Sequence, residues 1–305
     1  MKRICENTSE LVGSTPIVRL RKYCDVNHIS QNLYVKLEAN NPGGSIKARA
    51  AMAVIGQAEE QGIVGGENAL IIDAVTVDEG MALAYVCAVK GYKFVAVMPK
   101  GQSKLLCSMM RAYGAKVVFS AQDEGLEGAR RTVRDMLKHY PDAYCPSISS
   151  NEAAVNGMKE IAAEIWRDMD GQVDIVVTPV RTGATATAMG EYFKKKKRRV
   201  RIIAVQCQNE NERRAAKPAL LNTGVTDVLY PVSPSVGYGI CVGLGATEGL
   251  FVGVDSGAAV YAAMQLARLP QNEDKNIAVI LPDSGMYYVE TGLFDYNDNY
   301  VVLER

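Results

Sequence analysis

The sequence predicts an α/β protein in which two parallel sheets are each covered by helices on both faces. Short apolar runs rich in Val, Ile and Leu alternate with segments of helical period, and this pattern restarts near residues 145–150. Strands that are apolar along their whole length are typical of parallel sheets buried on both faces. We therefore predict two three-layer domains with a cleft between them.

The first block of alternating elements extends to about residue 140. Ser45 is the candidate N-cap of its first helix, and Gly62 is the candidate stop. We predict strands at 33–39, 69–75, 93–99 and 115–120, and helices at 45–62, about 80–90, 104–114 and 127–140.

The second block has longer connections between its strands. A helix is predicted at 155–169, and apolar strands at 173–180, 200–207 and 276–282. The run "KKKKRRVR" at 194–201 lies between a helix end and a strand. We interpret it as a solvated connection whose cations complement the helix C-terminus.

Composition excludes several classes of function. The chain has 305 residues, is 48% apolar, and carries 34 basic and 34 acidic side chains, so no global field favours nucleic acid or a membrane surface. No apolar run is long enough to span a bilayer. The N-terminal stretch "MKRICENTSELVGSTP" lacks the apolar core of a signal peptide. We expect a cytoplasmic protein that binds neither nucleic acid nor membrane.

Cysteine and histidine usage also restricts the chemistry. The seven cysteines form no C-x-x-C pair, which is typical of reduced thiols. The two histidines, His28 and His139, lie far apart in sequence. We therefore predict no metal site and no Ser-His-Asp triad. Any proton chemistry falls to lysine, tyrosine or a carboxylate.

One lysine has an unusual position. Lys47 lies three residues after a Gly-Gly pair in "NNPGGSIKARAAMAVIGQAEEQG", at the start of an Ala-rich predicted helix. From the residues alone, it could be a solvated charge, a phosphate contact or a covalent anchor.

Six separated stretches resemble one enzyme family, in the order in which that family carries them. The chain resembles the cysteine synthase and cystathionine β-synthase family, whose members are pyridoxal-phosphate-dependent β-replacement enzymes. The stretches are "ELVGSTPIVRL" (10–20), "YVKLEANNPGGSIKARAA" (34–51), "MALAYVCAVKGYKFVAVMP" (81–99), "AAEIWRDMDGQVDIVVTPVRTGAT" (162–185), "EGLFVGVDSGAAVYAAMQLA" (248–267) and "NIAVILPDSGMYYVETGLF" (276–294).

The resemblance covers essentially the whole chain and refines the predicted architecture. It implies the tryptophan-synthase-β-like fold (PLP fold type II) and a homodimer. It also implies a smaller domain made of residues 1–10 and 36–147. The larger domain would contain residues 11–35 and 148–305.

The resemblance implies a cofactor site for pyridoxal 5′-phosphate. Lys47 matches the lysine that binds the cofactor as a Schiff base, and a lysine in that role must be rigidly held and able to lose a proton. Ser284 matches the serine at the pyridine nitrogen, with Asp283 as the alternative neighbour. The family's Gly-Thr-Gly-Gly-Thr phosphate loop is replaced by Arg181, Thr182, Gly183, Ala184 and Thr185. Arg181 could contact the phosphate or point away from it.

The substrate loop departs from the family pattern. The family's Thr-Ser-Gly-Asn-Thr-Gly binds the substrate carboxylate, and its Asn contacts the cofactor's 3′-oxygen. This chain has "VTVDEG" at 75–80. Asp78 therefore takes the cofactor-contacting position, and the implied substrate-binding residues are Thr76, Asp78, Glu79 and Gly80, with Gly237 from a second altered stretch. Two acidic side chains where a carboxylate should bind predict repulsion.

Three interpretations follow from this departure. The preferred one is a working pyridoxal-phosphate enzyme that acts on a small amino-acid-like substrate with altered recognition. The second is a typical cysteine synthase that tolerates the changes. The third is a non-catalytic relative with a binding or assembly role. The retained lysine and phosphate loop favour the first, because a purely structural protein does not need them.

Overall fold

The computed structural model describes residues 4–30, 32–121, 124–196, 199–208 and 218–294. Within these residues, nine strands form two sheets. The larger sheet has the order β1-β2-β9-β6-β7-β8, and the smaller one has the order β3-β4-β5. Among the described strands, only the edge strand β1 pairs in the antiparallel direction. The strands are β1 Ile17–Arg19, β2 Asn32–Leu37, β3 Leu70–Ala74, β4 Lys93–Pro99, β5 Lys116–Ser120, β6 Ile175–Pro179, β7 Arg201–Cys207, β8 Val228–Val232 and β9 Asn276–Leu281.

Helices connect the strands of both sheets. Short 3₁₀ segments occur at Thr8–Leu11, Glu38–Asn40, Pro42–Gly44, Pro270–Asn272 and Gly285–Thr291. The α-helices are α1 Arg21–Val26, α2 Lys47–Glu60, α3 Val77–Lys90, α4 Lys104–Ala112, α5 Gly125–His139, α6 Ala153–Asp168, α7 Ala184–Lys196, α8 Pro234–Glu248 and α9 Val254–Ala267.

Apolar clusters cover both faces of each sheet, which confirms the predicted fold class. The largest cluster joins one face of each sheet through helices α2, α3, α6 and α7. A second cluster packs helices α1, α8 and α9 on the other face of the larger sheet. A third packs α5 on the other face of the smaller sheet. The bounds that the resemblance implies for the two domains stay a prediction.

The predicted strands and helices are present, with small differences at their ends. Helix α3 was expected from about residue 80 but begins at Val77, because Thr76 and Glu79 form a capping box that adds a turn. Strands β1 and β8 were not predicted, since "IVR" and "VLYPV" are short or interrupted by proline. The basic run falls partly outside the described residues, since 197 and 198 are not described.

Two further expectations concern thiols and membranes. All seven cysteines are free. Among the described helices, none combines the length and the apolar character that crossing a bilayer requires.

Candidate active site

A cavity of about 620 Å³ lies at the carboxyl ends of strands from both sheets. Its walls include residues that lie one or two positions after the ends of β3, β4, β6 and β9. In α/β proteins, ligands bind at the carboxyl ends of parallel strands, where the loops converge. The cavity contains Lys47, Thr76, Asp78 and Glu79 on one side and the loop 181–185 on the other. The structure therefore brings together most of the residues that the resemblance implied.

Lys47 is positioned by a tight turn at the start of helix α2. The turn needs glycine, because Gly43 and Gly44 have φ values of 78° and 79°, a region that other residues rarely adopt. A Cβ on Gly44 would also lie 3.0 Å from the Met286 sulfur. The N-cap is Ile46 rather than the predicted Ser45, because the helix begins two residues later than expected, but Ser45 Oγ still accepts from Lys47 N over 3.2 Å.

A second segment clamps this turn from the opposite side. Ile46 N donates to the Pro282 carbonyl over 2.7 Å, and Ser284 N donates to the Gly44 carbonyl over 2.9 Å. The Tyr287 hydroxyl donates to the Gly43 carbonyl. The chain after β9 therefore fixes the backbone that carries Lys47. No sequence motif marks Tyr287 for this contact, because the bond depends on tertiary proximity alone.

The Lys47 side chain is largely buried and ion-paired. Its exposed fraction is 14%, and Nζ lies 2.9 Å from Glu79 Oε1. Burial alone would lower the pKa of Lys47. The carboxylates of Glu79 and Asp78 outweigh burial and raise that pKa above its ordinary value. The free lysine is therefore held as an ammonium ion.

Glu79 is held as a carboxylate by several donors. Its two oxygens accept from the Ser149 hydroxyl at 3.0 and 2.9 Å, and Oε2 accepts from Thr76 N at 3.1 Å. Burial alone would raise the pKa of Glu79, but Lys47 and Thr76 lower it to about 2. Ser149 could not be found from the sequence, because it lies 70 residues from Glu79 and belongs to no motif.

At the N-terminus of α3, the donors of Thr76 are bound to acidic side chains of the helix itself. The Thr76 hydroxyl is shared between Asp78 Oδ1 at 2.6 Å and Glu79 Oε2 at 2.8 Å. A helix N-terminus normally offers its N–H donors to an anion. Here two acidic side chains stand at that place. Gly80 lies behind them, where an added Cβ would be 2.8 Å from the Met110 sulfur, and it does not line the cavity.

The phosphate loop has the geometry that an anion site needs. Residues 181–183 connect β6 to α7, Ala184 and Thr185 begin that helix, and all five line the cavity. Gly183 has a φ of 96°, and a Cβ there would lie 2.4 Å from Leu221 N, so only glycine fits. The N–H groups of the first turn of α7 and the hydroxyls of Thr182 and Thr185 suit a phosphate dianion. The residues present therefore fit a phosphate-bearing cofactor, with Lys47 in the same cavity.

Arg181 is bound to an aspartate that no sequence motif marks. Its Nε lies 2.6 Å from Asp255 Oδ2, and its Nη2 lies 3.3 Å from Oδ1. This fork-shaped pair places the guanidinium against helix α9 at the cavity wall. About 63% of the Arg181 side chain is still exposed, so it faces the open cavity.

The structure places Asp283, rather than Ser284, on the cavity wall. The Asp283 carboxyl accepts from the Ser256 hydroxyl at 3.0 Å and the Tyr288 hydroxyl at 2.7 Å. Burial, followed by the charge of Asp255, raises the pKa of Asp283 to about 7. Ser284 Oγ accepts from Met286 N at 3.2 Å at the start of the last 3₁₀ segment. The assignment of Ser284 to the cofactor's ring nitrogen stays a prediction.

Gly237 lies away from the cavity lining. It is inside helix α8, where a Cβ would come within 2.7 Å of the Val254 carbonyl. Its glycine character follows from the close packing of α8 on α9. A substrate role for Gly237 stays a prediction. Among the described residues there is no group of His, Cys, Asp and Glu arranged to hold a metal ion.

The fold and the cavity together define the class of protein. Parallel sheets, a buried lysine at a helix start and a facing phosphate loop are the parts of a pyridoxal-phosphate-dependent enzyme of the cysteine synthase type. The family model of pyridoxal-phosphate dependent enzymes matches residues 8–283. The chain belongs to this family.

Similar proteins of known function support the assignment to the cysteine synthase type. The chain is 31% identical to a cysteine synthase of Staphylococcus aureus, over 96% of this chain and 98% of that protein. Two solved structures superpose closely on it. A cysteine synthase of Entamoeba histolytica has a TM-score of 0.91 at 30% identity, covering 98% of this chain and 94% of that one. An O-ureido-L-serine synthase has a TM-score of 0.90 at 30% identity, covering 98% of each chain. The pyridoxal-phosphate dependence and the β-replacement type predicted from sequence are confirmed.

Proposed function

We propose that this enzyme acts on a small amino-acid-like substrate whose recognition differs from that of typical cysteine synthases. One observation carries the proposal: the N–H and the hydroxyl of Thr76, at the N-terminus of α3, already donate to the chain's own Asp78 and Glu79. A substrate carboxylate would meet the acidic Asp78 there, beside Glu79, whose charge is paired with Lys47. The loop instead suits a substrate that lacks a free carboxylate or presents a cationic group to Asp78.

The cofactor's place in this proposal follows from the cavity. Lys47 would hold pyridoxal phosphate through Nζ, and Thr182, Gly183, Ala184 and Thr185 would hold its phosphate. When bound, the cofactor withdraws electrons from the carbons beside a substrate amine, so that a group one carbon further can leave and be replaced. Ser284, Asp78 and Arg181 are proposed cofactor contacts.

The burial of Lys47 supports its role as the anchor. An exposed first-turn lysine would be an ordinary solvated charge, but this one has an exposed fraction of only 14% and points into the cavity. The turn around it is fixed from both sides. This arrangement limits the motion of the reacting nitrogen. Within the described part of the chain, no observation supports the non-catalytic interpretation.

A matched pair of ligands tests the substrate proposal. Serine and serinamide differ only in the free carboxylate, and each can be titrated into the cofactor-bound protein while the cofactor's visible absorbance is followed. We expect serinamide to bind at least about tenfold more tightly than serine, which corresponds to about 1.4 kcal/mol of repulsion at short range. Equal or tighter binding of serine would overturn the proposal and favour the typical cysteine synthase interpretation. No response to any amine would favour the non-catalytic interpretation.

A variant pair shows whether the loop is responsible. Changing Asp78→Asn and Glu79→Thr together replaces two acceptors by groups that can also donate. The preference for serinamide should then shrink or reverse. Asp142→Asn, which removes one charge outside the cavity lining, serves as the control and should leave the preference unchanged.

The oligomeric state and the cellular compartment are proposed from different observations. Seven free thiols suit the reducing cytoplasm. Family resemblance suggests a homodimer. Light scattering tests the assembly: a dimer mass supports it, and a monomer mass contradicts it.

A further inference from the structure

Among the described residues, Glu79 is the charged group in closest contact with the nitrogen that would carry the cofactor. Oε1 lies 2.9 Å from Lys47 Nζ, and the Glu79 side chain is only 2% exposed. An aspartate or glutamate at this distance from a lysine stabilises the charged nitrogen strongly when water is excluded.

The hydrogen bonds around Glu79 fix its orientation and its charge. Ser149 and Thr76 donate to the carboxylate, and these bonds leave Oε1 directed at Nζ. The pKa of Glu79 lies near 2 because Lys47 and Thr76 outweigh burial. The carboxylate therefore stays ionised throughout the neutral range, and it is a poor acceptor for a proton from Lys47. Acid–base transfer between the two groups is the less favourable role.

We propose that Glu79 is the counter-ion of the Lys47 nitrogen and keeps that nitrogen positively charged, both in the free lysine and after the cofactor is attached. This inference rests on the proposed role of Lys47 as the anchor. Attachment of an aldehyde to an ammonium group forms a carbon–nitrogen double bond and releases one water molecule. If the nitrogen keeps one hydrogen, the positive charge is retained. The carboxylate of Glu79 can therefore neutralise this charge both before and after the attachment.

Other charged groups near Lys47 act more weakly or in the opposite direction. Asp78, on the same turn as Glu79, also raises the pKa of Lys47, while Arg181 lowers it from the facing loop. Asp78 Oδ1 is bonded to the Thr76 hydroxyl. Tyr287 supplies a hydroxyl nearby, but burial raises its pKa, so it stays neutral. Glu79 is therefore the dominant negative group at this nitrogen.

The pH at which the attached nitrogen loses its proton tests the proposal. In the cofactor-bound protein, this loss changes the cofactor's visible absorbance, so a pH titration gives a midpoint. Glu79 raises that midpoint, because a neighbouring carboxylate favours the cation. Glu79→Gln keeps the shape and an acceptor for Thr76 N but removes the charge. We expect the midpoint to fall by about 1 to 3 pH units.

Two further variants make the result specific. Asp78→Asn removes an equal charge from the same turn without a contact to Nζ, and its midpoint should fall by less than half as much. Glu79→Asp keeps the charge but moves it away, and it should give an intermediate midpoint, which also serves if Glu79→Gln does not fold. A midpoint in Glu79→Gln that is unchanged or higher, or a change in Asp78→Asn of equal size, would overturn the proposal.

Borohydride reduction and peptide mapping of the same samples separate this inference from the proposed function. A pyridoxyl adduct on Lys47 with an unchanged midpoint in Glu79→Gln overturns the counter-ion role alone. An adduct on another residue overturns the anchor role and the counter-ion role together.

Discussion

Arg181 Nε lies 2.6 Å from Asp255 Oδ2, so the arginine of the phosphate loop is bound to helix α9. The Asp255 side chain is only 9% exposed, whereas most of the Arg181 side chain faces the cavity. The pair joins the loop that would hold the phosphate to the helix behind it. It also cancels the positive charge that Arg181 would otherwise offer to an anion.

Substituting Asp255 and substituting Arg181 should change the affinity for the cofactor in opposite directions. Asp255→Asn removes the neutralising charge, so Arg181 becomes a stronger attraction for the phosphate, and we expect cofactor affinity to rise by about 2- to 10-fold. Arg181→Gln leaves Asp255 without its cation, and we expect weaker cofactor binding together with a lower melting temperature. Equilibrium dialysis against pyridoxal phosphate measures the affinities. Weaker cofactor binding in Asp255→Asn would contradict this prediction and show that the ion pair is needed to hold the loop in its binding conformation.

Two threonines at neighbouring positions should separate phosphate binding from folding. Thr185 lines the cavity, and Thr185→Ala should weaken cofactor binding by about 1 to 3 kcal/mol, the range for a lost charge-assisted hydrogen bond. Thr187 instead donates to the Leu220 carbonyl at 2.6 Å and accepts from Asn222 N at 2.8 Å. Thr187→Val should lower the melting temperature with a smaller effect on affinity. Unchanged affinity in Thr185→Ala would place the phosphate elsewhere.

Asp283 should make the protein less stable as pH rises. Its folded pKa is about 7, against an ordinary value of 3.8, so the folded state binds more protons than the unfolded state between these values. The free energy of unfolding therefore falls as pH increases through that window, and the penalty is nearly complete by about pH 8. Asp283→Asn removes this contribution.

The variant should accordingly melt at a higher temperature than the wild type at about pH 8, by several degrees, because each tenfold change in proton affinity on folding corresponds to about 1.4 kcal/mol. The difference should shrink toward pH 4, where the wild-type carboxyl is protonated in the folded state. Asp73, whose pKa burial raises to about 6, supplies a similar dependence in both proteins. A melting difference that is constant with pH would contradict the ionisation argument.

The fold was largely predictable because it depends on local pattern. Continuous apolar runs identified most strands, and the Gly-Gly turn with Ser45 located the helix that starts at Lys47. Helix α3 begins earlier than expected because its capping box is formed by Thr76 and Glu79, residues first interpreted as a substrate loop. The same residues are compatible with a substrate loop and with a helix cap, and the sequence alone did not decide between these two interpretations.

The site was predictable only in part, because its partners come from distant segments. Lys47 and the loop 181–185 were found by motif, and the cavity contains them. Ser149, Asp255 and Tyr287 are distant in sequence from the residues they bind, and no motif marks them. The expectation that the acidic loop repels a substrate carboxylate stays a prediction, and the pairing of Glu79 with Lys47 depends on three-dimensional packing that the sequence did not show.

The position of the cofactor on the chain tests the anchor role of Lys47 most directly. Borohydride reduction of the purified protein, followed by proteolysis and peptide mass mapping, identifies the lysine that carries it. We expect one pyridoxyl adduct, on the peptide that contains Lys47, and none in Lys47→Ala after the same treatment. An adduct on another lysine, or no adduct after incubation with excess pyridoxal phosphate, would contradict that role.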